Sequence, residues 1–187
     1  MKDILLFPVG EVAPGLLDEL CDPIVEELGT ACRVDLAKGF DPAFAFHPER
    51  GQYHSSELLA HIDAPGGERC LGVTAVDLFI PILTFVFGEA ETGGTRAIVS
   101  SHRLRQEFYG LETDDGLAAE RLAKEALHEI GHMLSLHHCD DYECVMASSH
   151  AVEWIDVKHP RFCGRCRTLL HAAEDEKAAA AFFNTWS

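Results

Sequence analysis

His128-Glu129-Ile130-Gly131-His132 places two imidazoles four residues apart with a carboxylate between them. On a helix, positions i and i+4 share one face, so His128 and His132 can grip a single cation. His138, six residues on, and its neighbour His137 are the candidates for a third imidazole. Zinc held by three protein nitrogens keeps a fourth position for water. The cation lowers the pKa of that water to about 7, so a nucleophile exists at neutral pH. Glu129 adjoins the first ligand, where it can reach the water rather than the metal. It is the candidate general base, and the acid that later protonates a leaving amine. This is the chemistry of a zinc-dependent peptidase. The alternative is a catalytically silent zinc protein that binds peptides or a partner in the same cleft. The presence of Glu129 argues against it, because holding zinc does not require that carboxylate.

A second metal pattern follows at once. Cys139 and Cys144 form one pair, and Cys163-Gly164-Arg165-Cys166 forms another. Four thiolates make a closed structural zinc site whose role is folding energy rather than catalysis. The sequence therefore predicts two Zn2+ per chain, one catalytic and one structural. Because His138 and Cys139 are adjacent, the second ion would anchor the segment that delivers the third imidazole to the first. Cys21, Cys32 and Cys70 fall outside the pattern and read as core residues.

These side chains need a scaffold. A helix is predicted from Asp115 to Ser135, with Asp114 or Asp115 as N-cap. Leu122, Ala126, Ile130 and Met133 form its buried stripe. Arg121, Glu125, His128 and His132 form a second stripe, expected to face an open cleft. Upstream, strands are expected at Ile4–Val9, Cys32–Ala37, Cys70–Asp77, Leu83–Phe87 and Arg96–His102. Helices are expected at Gly15–Leu28, where Pro23 bends the chain or starts a second helix, and at Tyr53–Ile62. Gly39–Gln52 reads as loop, and Ala172–Trp186 as a C-terminal helix. Early alternation of strands and helices predicts an α/β fold with a largely parallel sheet covered by helices.

At 187 residues the chain suits one compact domain. Its first part, to about residue 138, would hold the sheet and active-site helix, and 139–187 a zinc-stabilised C-terminal subdomain. The net charge of −16 argues against nucleic acid or an anionic membrane as partner and leaves a peptide substrate. A monomer is expected. The apolar run Ile4–Phe7 ends at Pro8, too short for the core of an export signal. Seven cysteines without such a signal point to reduced thiols, metal binding and the cytoplasm.

The histidines, cysteines and Met146 together resemble the archaemetzincins of the metzincin clan. Their motif runs His-Glu-x-x-His-x-x-Gly-x-x-His-Cys-x4-Cys-x-Met, then Cys-x-x-Cys. Arg50-Gly51-Gln52-Tyr53, Asp77-Leu78-Phe79 and Phe85-Val86-Phe87-Gly88-Glu89-Ala90 are also similar to that family. The resemblance assigns the third ligand to His138 rather than His137, and puts Met146 in a turn beneath the catalytic zinc. It implies a five-stranded twisted mixed sheet, a backing helix, an active-site helix and a small C-terminal subdomain. It further implies that Leu83–Phe87 is the antiparallel edge strand above the cleft, and that action is aminopeptidase-like on short peptides. One position departs from the motif: Ser135 replaces the glycine that turns the chain after the helix, which predicts a slightly altered turn with His138 retained.

Overall fold

The computed structural model describes residues 2–13 and 15–172. β1 (Ile4–Val9) has no polar side because a central parallel strand is covered on both faces. Ile4 and Leu6 pack on one face, and Leu5, Phe7 and Val9 on the other. α1 (Leu16–Leu28) follows as one helix running through Pro23 and ends on Gly29 in the left-handed conformation. β2 (Cys32–Val34) is shorter than expected, because the Asp35 side chain accepts from the Ala37 N–H and starts a 3-10 turn.

β3 (Phe46–His47) and β4 (Gln52–His54) lead into α2 (Ser55–His61). The predicted helix at Tyr53–Ile62 thus loses its first two residues to a strand that pairs with β6 (Leu78–Phe79). β5 (Arg69–Thr74), β7 (Gly88–Ala90) and β8 (Arg96–Ser100) complete the main sheet, whose order is β2-β1-β5-β8-β7. β7 alone runs antiparallel. The expected mixed five-stranded sheet is present. α1 and the histidine-bearing helix α3 (Asp115–Met133) cover one face, and α2 covers the other.

The edge strand is not where it was expected. Leu83–Phe87 is irregular, and β7 begins only at Gly88. Arg50 Nη2 takes the carbonyls of Leu83 and Thr84, each at 3.0 Å, and Gln52 Nε2 takes Thr84 O at 3.0 Å. Backbone acceptors turned toward those side chains cannot join the sheet ladder. The apolar run from Leu83 could not reveal this, since the competing donors lie some thirty residues away.

The second stripe of α3 also differs from expectation. Arg121 is buried away from the cleft, and Glu125, which lines it, is only 3% exposed. α4 (Val152–Val157) and its C-cap Lys158 bring their partners: Arg121 forks onto Asp156 at 2.7 Å twice, and Lys158 Nζ donates to Glu125 at 3.2 Å. Only the C-terminal end of this stripe reaches solvent. Residues 164–172 are helical. The rest of the helix expected over 172–186 lies outside the described residues. No helix among the described residues is long and apolar enough to cross a membrane.

Candidate metal centres and active-site cleft

α3 starts where Asp114 accepts from the Leu117 N–H at 2.9 Å. It carries His128, Glu129 and His132 to its final turns, where they meet His138. The ligand atoms of His128, His132 and His138 all lie within 4.8 Å of one another. His128 Nδ1 donates to Val145 O and His132 Nδ1 to Leu136 O, both at 2.8 Å. A carbonyl can only accept, so each Nδ1 carries the proton and each Nε2 keeps a lone pair for metal. The two Nε2 atoms stand 3.1 Å apart. Tetrahedral zinc with bonds of 2.0–2.1 Å would set nitrogens about 3.3 Å apart, so the donor set fits the ion. Burial, then Lys158 and His132, hold His128 well below its usual pKa. Burial likewise lowers His132 and His138, leaving neutral imidazoles able to ligate. His137 is exposed and stands outside the trio.

Ser135 explains how the chain turns back. It has φ 73°, the only positive φ among described residues other than glycine. Its N–H bonds His132 O at 2.9 Å, and the Leu136 N–H bonds Gly131 O at 2.9 Å. These two bonds form a Schellman motif, which needs a left-handed residue at this position. The same turn aims the Leu136 carbonyl back at His132. A small polar residue replaces the motif glycine without loss of the ligand geometry. Ser135→Gly is expected to stabilise the protein by about 0.5–1 kcal/mol, relief of left-handed backbone strain being partly offset by glycine's greater freedom when unfolded. The midpoint of urea unfolding with zinc present checks this.

The four sulfurs of Cys139, Cys144, Cys163 and Cys166 also converge within 4.8 Å. Cys139–Cys163 and Cys144–Cys166 are separated by 3.7 and 3.8 Å. Sulfurs around zinc at 2.3 Å would lie about 3.8 Å apart. Cys70 is fully buried, whereas Cys21 and Cys32 are half-buried against the core. The thiol cluster reaches the imidazoles by two backbone routes. Cys139 follows His138, and Cys144 precedes Val145, whose carbonyl orients His128. The Cys139 N–H also bonds Met146 O at 2.9 Å. Met146 is fully buried against Gly131, where any Cβ would overlap its sulfur. Gly131 thus lets the methionine turn approach the helix. Glycine inside a helix costs about 1 kcal/mol relative to alanine, and that cost was the available sign of a close contact here.

Glu129 is 5% exposed and borders the same cleft of about 820 Å³ as the imidazoles. Burial, reinforced by Glu125 and Glu89, pushes its carboxyl well above the usual range. A nearby divalent cation opposes that shift. Gly88 leaves it room: a Cβ there would stand 2.7 Å from Glu129 Oε1 and 2.7 Å from Ile98 O. Sequence reasoning missed Gly88, the Val145 and Leu136 carbonyls, and the Glu125–Lys158 pair. The two carbonyls and the ion pair act through position, and Gly88 acts through its missing side chain.

β7 forms the upper border of the cleft. Its register pairs Gly88 with Val99 and Ala90 with Ala97, and the Ser100 N–H bonds Phe87 O at 2.8 Å. In an antiparallel ladder this alternation turns residues 87, 89 and 91 toward β8. The N–H and C=O of Gly88 and Ala90 therefore point to the open side.

Helix, sheet edge and imidazole trio are those of a zinc metallopeptidase. The family model for peptidase family M54 matches residues 60–172. An archaemetzincin from Methanocaldococcus jannaschii is 41% identical over 89% of this chain and 92% of its own length. A zinc-dependent peptidase from Methanocorpusculum labreanum superposes with a TM-score of 0.81 at 34% identity, covering 89% of this chain and 99% of that one. An archaemetzincin from Archaeoglobus fulgidus, complexed with malonate, gives a TM-score of 0.79 at 34% identity over 90% and 99% of the two chains. The chain belongs to peptidase family M54, the archaemetzincins.

Proposed function

We propose that the chain hydrolyses peptide bonds at the centre formed by His128, His132 and His138, with Glu129 as the proton carrier, and that it favours short peptides with a free N-terminus. The observation that carries this reading is the convergence of three lone pairs beside a buried carboxylate under an open strand edge. Zinc at this centre supplies a Lewis acid that acidifies water and polarises a carbonyl. Glu129 takes the proton of the attacking water and returns it to the leaving amine. Gly88 and Ala90 offer backbone donors and acceptors to an extended peptide, which adds as a further strand. Glu89 borders the same cleft and suits a substrate ammonium group. Cys139, Cys144, Cys163 and Cys166 would hold a second zinc ion and so keep the returning segment in place.

The test compares one short peptide with a free and with an acetylated N-terminus, before and after metal chelation. Hydrolysis of the free peptide, its loss on chelation and its return with zinc are expected. Acetylation is expected to lower kcat/KM by roughly tenfold or more, the scale of a lost substrate contact in a site built for it. Equal cleavage of both peptides would overturn the aminopeptidase-like part, and no cleavage of any peptide would overturn the whole.

A further inference from the structure

Three sequence stretches that contribute no metal ligand converge on one side of the cleft. Gln52 Nε2 donates to Asp77 Oδ2 at 3.0 Å, and Arg50 Nε donates to Gln52 Oε1 at 3.0 Å. Arg103 Nε and Nη2 fork onto the two Asp77 oxygens at 2.6 and 2.7 Å. Its guanidinium also stacks on Phe85 and Phe108, with Cζ 4.2 and 4.7 Å from the ring centroids. Phe85 meets Phe87 edge-on at 5.2 Å, and both rings line the cleft. Arg103, Asp77 and Phe108 do not line it.

We propose that Phe85 is the wall of the cleft that selects an apolar substrate side chain, and that Arg103, forked onto Asp77, is the positioning residue for that wall. This rests on the peptidase reading. The chemistry of the occupant follows from the lining. The partly buried Phe85 ring presents the apolar surface, and the core residue Phe87 backs it edge-on at 78°. Glu89 on the same cleft disfavours an acidic side chain. A benzyl or branched aliphatic group gains apolar contact there, and aromatic pairs add edge-to-face attraction.

Phe85 needs an external brace. It sits in the irregular Leu83–Phe87 segment, where no continuous ladder holds it. Arg50 and Gln52 fix the carbonyls just before it, and the Val86 N–H bonds Leu78 O at 2.9 Å just after it. Those bonds place the backbone of Phe85, and the Arg103 plane places its ring. A planar, five-donor guanidinium can fork and stack at once, which the lysine ammonium cannot.

The experiment uses two peptide hydroxamates on the zinc-loaded full chain, one with a benzyl and one with a hydrogen side chain, and measures binding by calorimetry. Hydroxamates chelate the metal without needing turnover, so the result stands apart from hydrolysis. Wild type is expected to prefer the benzyl probe by roughly tenfold or more. Phe85→Ala should erase the preference, and Phe85→Leu should restore part of it. Arg103→Lys should lower benzyl affinity several-fold, with the glycyl probe changed by less than about twofold, because the uniform part of binding is untouched. Equal loss for both probes in Arg103→Lys would show a merely structural role and overturn the proposal, as would an undiminished benzyl preference in Phe85→Ala. Benzyl preference in a protein that cleaves no peptide would overturn the peptidase reading while supporting the wall.

Discussion

Glu129→Ala is expected to lower kcat/KM for any hydrolysed peptide by roughly 10²–10⁴-fold, the usual worth of a positioned general acid-base. Zinc content should stay at the wild-type value. Glu129 borders the cleft but is not one of the three residues whose ligand atoms converge. Its carboxylate has room because residue 88 is glycine. Removing it leaves the three imidazoles and the Nδ1 hydrogen bonds of His128 and His132 in place. Parallel measurement of hydrolysis and of zinc by atomic emission decides the matter. Unchanged turnover would remove Glu129 from the chemistry, and loss of zinc would make it a ligand.

The second large effect is expected from Cys166→Ser, a substitution remote in sequence from the three converging imidazoles. Cys166 is buried, and its sulfur lies 3.8 Å from that of Cys144. Structural zinc contributes folding free energy outright, so one ion per chain should be lost and thermal unfolding should fall markedly. Activity should fall roughly 10–100-fold, the range seen when groups that orient metal ligands are altered. Both ends of the catalytic trio depend on the thiol cluster. Cys139 sets the position of His138, and Cys144 sets the Val145 carbonyl that fixes the His128 tautomer. A variant with one zinc and undiminished turnover would show that the two centres are independent.

Much of this was legible before any coordinates. His128 and His132 follow from helical periodicity, which is local, whereas the family resemblance chose His138 over His137. The cysteine pairs are also local, and the thiols have few other uses in such spacing. Asp114 caps the helix it was expected to cap. What misled was context. The stripe containing Arg121 and Glu125 reads as solvated because charged side chains usually are, yet Asp156 and Lys158 arrive from some 35 residues downstream to pair with them. Leu83–Phe87 reads as a strand because its residues favour one, yet Arg50 and Gln52 capture its carbonyls. Ser135 breaks the motif by type and preserves it by conformation.

By itself, the order of residues determined the kind of chemistry: which donors are present, how they space along a helix, and that a carboxylate accompanies them. Tertiary structure alone decided which backbone carbonyls set the imidazole tautomers, which strand presents its edge, and which charges are buried together. The reason is range. Ligand spacing is a property of one helix and one turn, whereas hydrogen-bond partners and burial are assigned only when distant segments meet.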